Sequence, residues 1–161
     1  MAADDKDLLA PWRAKIDEID QQLLDLLAKR ADAAHEVGKL KHQINAPVFR
    51  PERERQVIDG LIEKNKSPLS AHGLTAIWRE IMSACRALEA PIRVAYLGPA
   101  GTFSEQAAYA QFGQSIGRVP CSSIDEVFRA VDAGAAEYGV VPVENSSEGA
   151  ISRTLDLLLD T

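Results

Sequence analysis

The sequence predicts an α + α/β fold, three helices followed by a parallel α/β unit. Two observations carry this. From Leu8 to Leu88, apolar residues recur at helical spacing between turns that contain Asn and Pro. From Ile92 onward, short apolar runs such as IRVAYL and YGVVPV alternate with amphipathic stretches. That alternation is the mark of parallel strands joined by right-handed helical crossovers. The expected division is a helical domain over 1–90 and an α/β domain over 92–161.

The first helix starts near Asp4 to Asp7, where acids meet the positive end of the helix dipole, and runs to about His42. Pro11 suits a first turn, so the regular part is expected to open there. About 32 residues from Pro11 make a rod of roughly 48 Å, too long for a domain of about 90 residues to cover. A second copy of the chain would cover it, so a helical homodimer is expected. Asn45-Ala46-Pro47 breaks the pattern. Pro51 opens a helix to Lys64, with Val57, Ile58, Leu61 and Ile62 on its apolar face and Glu54 pointing into that face. After the turn Asn65 to Pro68, Ser70 caps a third helix to about Leu88. Its buried side comprises Leu74, Ile77, Trp78, Ile81, Met82, Cys85 and Leu88.

In the second half, Ile92 to Leu97 reads as a buried strand and Thr102 or Ser104 starts a helix to Phe112. Gly117 to Pro120 reads as a strand and Ser123 to Ala133 as a helix. Tyr138 to Val143 is a strand, and Gly149 to Leu159 a last amphipathic helix.

Composition excludes several classes. A net charge of −6 argues against a nucleic-acid binder. Two cysteines form neither a disulfide framework nor a metal site. The acidic start is unlike a signal peptide, and no apolar stretch approaches a membrane span. The expectation is a cytoplasmic protein with no metal, cofactor or membrane partner.

The informative anomaly lies in the first helix. Trp12, Ile16, Ile19, Leu23, Leu26, Ala34, Val37 and Ile44 fall in a stripe about 80° wide. Arg30 and Lys41 lie inside that stripe, about 16 Å apart along the axis. Unpaired buried cations cost several kcal/mol, so an anion should meet them. Two side chains leaning together could hold a small dicarboxylic acid. Arg13, about 25 Å from Arg30, can reach that ligand only from a partner subunit. Arg53 could complete a ring of cations, with the carboxyl groups of Glu54 and Glu89 facing the ligand. The plain alternative is that the cations snorkel and Glu54 pairs with Arg30.

The stretches WRAKIDEIDQQLLDLLAKRADAAHEVGKLK and PVFRPERERQ resemble the all-helical chorismate mutase family. The resemblance spans 8–89 and implies an intertwined dimer of three-helix protomers that converts chorismate to prephenate without a cofactor. It implies that Arg30 and the partner subunit's Arg13 bind the substrate carboxylates. Lys41 would meet a carboxylate and the ether oxygen of the breaking bond. Arg53 would set the electrostatics, and Glu54 would take the ring hydroxyl. Glu89 stands where many members carry Gln as a donor to that ether oxygen. Cys85 stands where others often have Ser, and Arg50 where some have Asp. The rival reading is a non-catalytic dimeric scaffold or anion sensor.

YLGPAGTFSEQAA and YGVVPVENSSEGAI are similar to the opening half of prephenate dehydratase. The join resembles the bifunctional enzymes of phenylalanine biosynthesis, and implies a partial lobe of a periplasmic-binding-protein-like dehydratase domain. Both loops leave the carboxyl ends of strands, where open α/β sheets bind ligands. The resemblance makes Thr102, Ser104, Glu144 and Asn145 the dehydratase candidates. The sequence lacks that family's second lobe and regulatory domain, so weak or no dehydratase activity and no phenylalanine feedback are expected.

An ionised Glu cannot donate a hydrogen bond, whereas a protonated one can. Mutase activity is therefore expected to rise as pH falls below neutral, and Glu89→Gln to flatten the profile. Rate against pH for the two proteins checks this; superimposable profiles would refute it.

Overall fold

The computed structural model describes residues 4–44, 46–145 and 149–160. Asn45, Ser146 and Ser147, assigned to loops by the sequence, lie outside the described residues, as does Thr161. Three helices lead the chain: α1 (Asp4–Gln43), α2 (Pro51–Lys64) and α3 (Ala71–Ala87). The second half follows as β1 (Arg93–Leu97), α4 (Phe103–Phe112), β2 (Gly117–Cys121), α5 (Ile124–Asp132), β3 (Tyr138–Val140), β4 (Glu144–Asn145), β5 (Gly149–Ala150) and α6 (Ser152–Asp160).

Helix α1 is a rod of 40 residues, about 60 Å long. It runs through Pro11 instead of opening there. The proline has no N–H for the carbonyl four residues back, but the helix continues on both sides. Helices α1 and α2 each pack on α3. Much of α1 finds no cover within the chain: Trp12 is 71% exposed, Leu23 51% and Leu26 60%. The buried side of α3 is narrower than its pattern predicts. Leu74, Met82 and Cys85 are buried, whereas Ile77 and Leu88 face out.

The α/β half is a parallel sheet in the order β2-β1-β3. The sheet's period-2 alternation splits its core in two. Val94 packs with Ala108 and Phe112 of α4. Ala95 packs with Val127 and partly buried Ala130 of α5. Both helices start with the same device. Thr102 and Ser123 are N-caps that accept from the N–H groups of Glu105 and Glu126, three residues on. Those two glutamates reach back to the N–H groups of Gly101 and Ser122, at 2.6 Å in each case. This is a capping box displaced by one residue.

The end of the sheet departs from the sequence pattern. Strand β3 stops at Val140, short of Val143, and Pro142 has no N–H with which to continue a ladder. The last helix starts at Ser152, because Gly149 and Ala150 pair antiparallel with Asn145 and Glu144 instead.

The two halves are docked. Phe49, from the segment before α2, is buried in the α/β core against Phe112 and Tyr138, at ring-centroid distances of 4.9 and 5.5 Å. The turn after α4 lies on α3: Gln114 N–H donates to Glu80 at 3.1 Å and Ser115 N–H to Ser83 Oγ at 3.1 Å. Gly113 makes this approach possible. Its φ is +80°, and a Cβ there would lie 2.5 Å from Ser83 Oγ. Gly113→Ala should destabilise the chain by roughly 1–3 kcal/mol, through left-handed strain and overpacking together. The urea midpoint measures this, and an unchanged midpoint would count against the docking described.

Candidate active site

A cavity of about 500 Å³ lies where α1, α2 and α3 meet. Arg30 and Lys41 reach it from α1, Arg53 and Glu54 from α2, and Cys85, Arg86 and Glu89 from the end of α3. Ala33, Ala34 and Val37 give α1 a small-residue floor between the two cations.

The two α1 cations are half-buried, and their hydrogen bonds go to neutral groups. Arg30 Nη1 donates to Cys85 Sγ at 3.0 Å, and Lys41 Nζ to the Val48 carbonyl at 3.0 Å. Among the described residues neither forms an ion pair. The pairing of Glu54 with Arg30 that the sequence left open does not occur. Glu54 pairs with Arg86, a buried guanidinium that also donates to the Phe112 carbonyl and lies 4.9 Å from the Phe49 ring centre. Burial pushes the Glu54 carboxyl up from its ordinary value, against the pull of Arg86, Arg79 and Lys41.

Glu89 reaches the cavity through a gap in α1. Its Oε2 is buried and has no hydrogen-bond partner among the described residues. A Cβ on Gly38 would lie 2.6 Å from that oxygen. The glycine is therefore what lets the Glu89 carboxyl lie against the α1 backbone.

The structure thus brings together Arg30, Lys41, Arg53, Glu54, Cys85 and Glu89. It does not bring Arg13, which is exposed far along α1 and does not line the cavity. Arg86 is the residue that sequence reasoning missed. The signal was there: it lies four residues after Met82 and three before Glu89, on the same face of α3.

Residues 12–90 match the family model described as chorismate mutase type II. Over its helical half the chain is similar to type II chorismate mutases. Residues 94–161 match the prephenate dehydratase model. The chain is 49% identical to the bifunctional chorismate mutase/prephenate dehydratase of Pseudomonas aeruginosa, over 97% of its own length and 44% of the relative's. It is 35% identical to the bifunctional enzyme of Escherichia coli K12, over 95% and 44%. It therefore spans less than half the length of the curated relatives it matches. A chorismate mutase structure from Thermus thermophilus superposes with a TM-score of 0.50 at 26% identity, covering 50% of this chain and 92% of that one.

In the dehydratase-like half, the sequence candidates lie at the carboxyl ends of β1 and β3 but differ in their freedom. The Thr102 hydroxyl donates to the Leu97 carbonyl at 3.1 Å while it caps α4. Ser104 is half-buried in the first turn of α4, and Glu144 and Asn145 are exposed on the β4–β5 hairpin. A further carboxylate, Glu105, braces the loop. It is buried and accepts from Gly101 N–H and, at 2.9 Å, from the Tyr96 hydroxyl, with Arg118 3.6 Å away. The Gly101 N–H and the Tyr96 hydroxyl hold this carboxyl below its ordinary value.

Gly38→Ala should displace Glu89 and shrink the cavity. Alanine favours the helix by about 1 kcal/mol over glycine, so the clash should show as a net loss of stability despite that gain. Thermal unfolding decides: a variant more stable than the parent would mean Glu89 is not where it is described.

Proposed function

We propose that the helical half catalyses the rearrangement of chorismate to prephenate, as the first step of a two-step conversion in aromatic amino acid biosynthesis. One observation carries the reading. Two cations on one helix border a walled cavity, and both spend their hydrogen bonds on neutral atoms. A doubly negative ligand supplies the charge that the site lacks.

The reaction is pericyclic and needs no nucleophile. The cavity holds the flexible side chain of the substrate over its ring, which converts orientational entropy into rate. Arg30 takes a carboxylate. Lys41 takes a carboxylate and the ether oxygen, where negative charge develops as the bond breaks. Arg53 adds positive potential, Glu54 accepts the ring hydroxyl, and Glu89 lies beside the ether oxygen. Cys85 orients Arg30.

The active form in this reading is a homodimer. The exposed stripe from Trp12 to Leu26 supports it, because burying that apolar surface against a second α1 stabilises the pair by about 25 cal/mol for each Å² covered. The partner subunit's Arg13 then closes the far side of the cavity. The functional units are 1–90 for the mutase and 92–161 for the dehydratase-like lobe, in a reducing, cytoplasmic setting. In that lobe Ser104, Glu144 and Asn145 face prephenate, and Thr102 fixes the loop that presents them.

Lys41→Ala should lower kcat/KM by at least about a hundredfold, because it removes the charge nearest the breaking bond. Loss of chorismate absorbance with purified protein measures this, alongside the circular dichroism spectrum to show that the fold is kept. Wild-type turnover retained in a folded Lys41→Ala protein would overturn the mutase reading.

A further inference from the structure

Arg86 belongs to both halves of the molecule. It rises from α3 into the wall of the cavity, and its side chain is 8% exposed. One guanidinium nitrogen, Nη1, meets Glu54. The other, Nη2, meets the carbonyl of Phe112, the last residue of α4. That carbonyl lies at a helix end, where no further turn supplies an N–H and where the helix dipole favours a cation. The guanidinium also lies near the face of Phe49, whose ring is itself wedged between Phe112 and Tyr138.

A planar guanidinium has its nitrogens in fixed directions. Once Nη2 is bound to α4 and one face is stacked, the direction of Nη1 is settled, and with it the placing of the Glu54 carboxylate. The atoms that fix the guanidinium therefore come from the α/β lobe and from the segment buried in its core. Those that it fixes belong to the mutase cavity.

We propose that Arg86 is a positioning residue of the mutase site, held in line by the docked α/β lobe, so that docking of the lobe sets the alignment of Glu54. The inference rests on the mutase reading of the cavity and adds a dependence of that activity on the neighbouring lobe.

The test is a double-mutant cycle on the full chain. One arm is Arg86→Met. The other is the pair Glu80→Ala and Ser83→Ala, which removes both side-chain acceptors for the turn after α4 and leaves every residue of the cavity in place. Each arm alone should lower kcat/KM about tenfold, since small misplacements of a site group carry such losses. Together they should lose no more than Arg86→Met alone, because both act through one side chain. A loss caused merely by a weaker fold would multiply instead.

A second readout is the pH profile. Glu54 is faced by Arg86 and Arg79 from α3 and by Lys41 from α1, with Arg30, Arg50, Arg53 and Glu89 also on the cavity wall. Removing the nearest cation leaves Glu54 protonated at higher pH, so any rise of kcat/KM below neutral should turn over at a higher pH in Arg86→Met than in the wild type. If that variant does not fold, Arg86→Lys takes its place in the cycle, keeping the charge without the fork.

An unchanged kcat/KM in either arm, or losses that multiply, overturns the inference. A wild-type chain that does not consume chorismate sinks the mutase reading and this inference with it. An active wild type with a multiplicative cycle sinks this inference alone.

Discussion

The pair between buried Arg86 and half-buried Glu54 is the constraint on which the arrangement turns. Breaking one side of such a pair costs about 3–5 kcal/mol, because the other charge stays buried. The pair is made tolerable by a third partner, the Phe112 carbonyl at the end of α4. Three elements that are distant in sequence meet at one guanidinium: α2 through Glu54, α3 through Arg86 itself and α4 through its last residue. With Glu54 claimed by Arg86, Arg30 and Lys41 are left without an ion pair among the described residues. The local electrostatics of the site follow from who pairs with whom, more than from how many charges there are.

The same bundle shows a second imbalance, in apolar surface. The first half of α1 exposes large side chains along a face that no other described residue covers. A 40-residue helix set against helices of 14 and 17 residues must leave such a face. Lone exposed leucines are ordinary, whereas a continuous stripe is not. In the α/β half, loop and edge N–H groups are met internally. Glu105 and Glu126 each close a loop onto its helix, and Glu137 does similar work at the sheet edge by accepting from the Arg93 backbone and side chain.

Much of this was legible in the residues. Helices α2 and α3 and strands β1 and β2 follow from apolar period, proline position and capping serine. The gathering of Arg30, Lys41 and Glu54 was legible because each lies on the inward face of its own helix, and Glu89 because it follows just past the end of α3. The spacing of Arg86 from Met82 was legible but its pairing was not, because its partners lie 32 and 26 residues away in the chain. The short β4–β5 hairpin was missed for a related reason. Two-residue strands carry no period, and only their pairing defines them.

The sequence by itself determined the helices and longer strands, the inward direction of the cations and the excess length of α1. These depend on local spacing along one helix or strand, which the chain carries in its order. Only the tertiary structure decided that Glu54 answers to Arg86 and not to Arg30, that Gly38 makes room for Glu89, and that the α/β lobe reaches the wall of the cavity between the helices. Those outcomes depend on distances between elements, and packing sets such distances after the elements have formed.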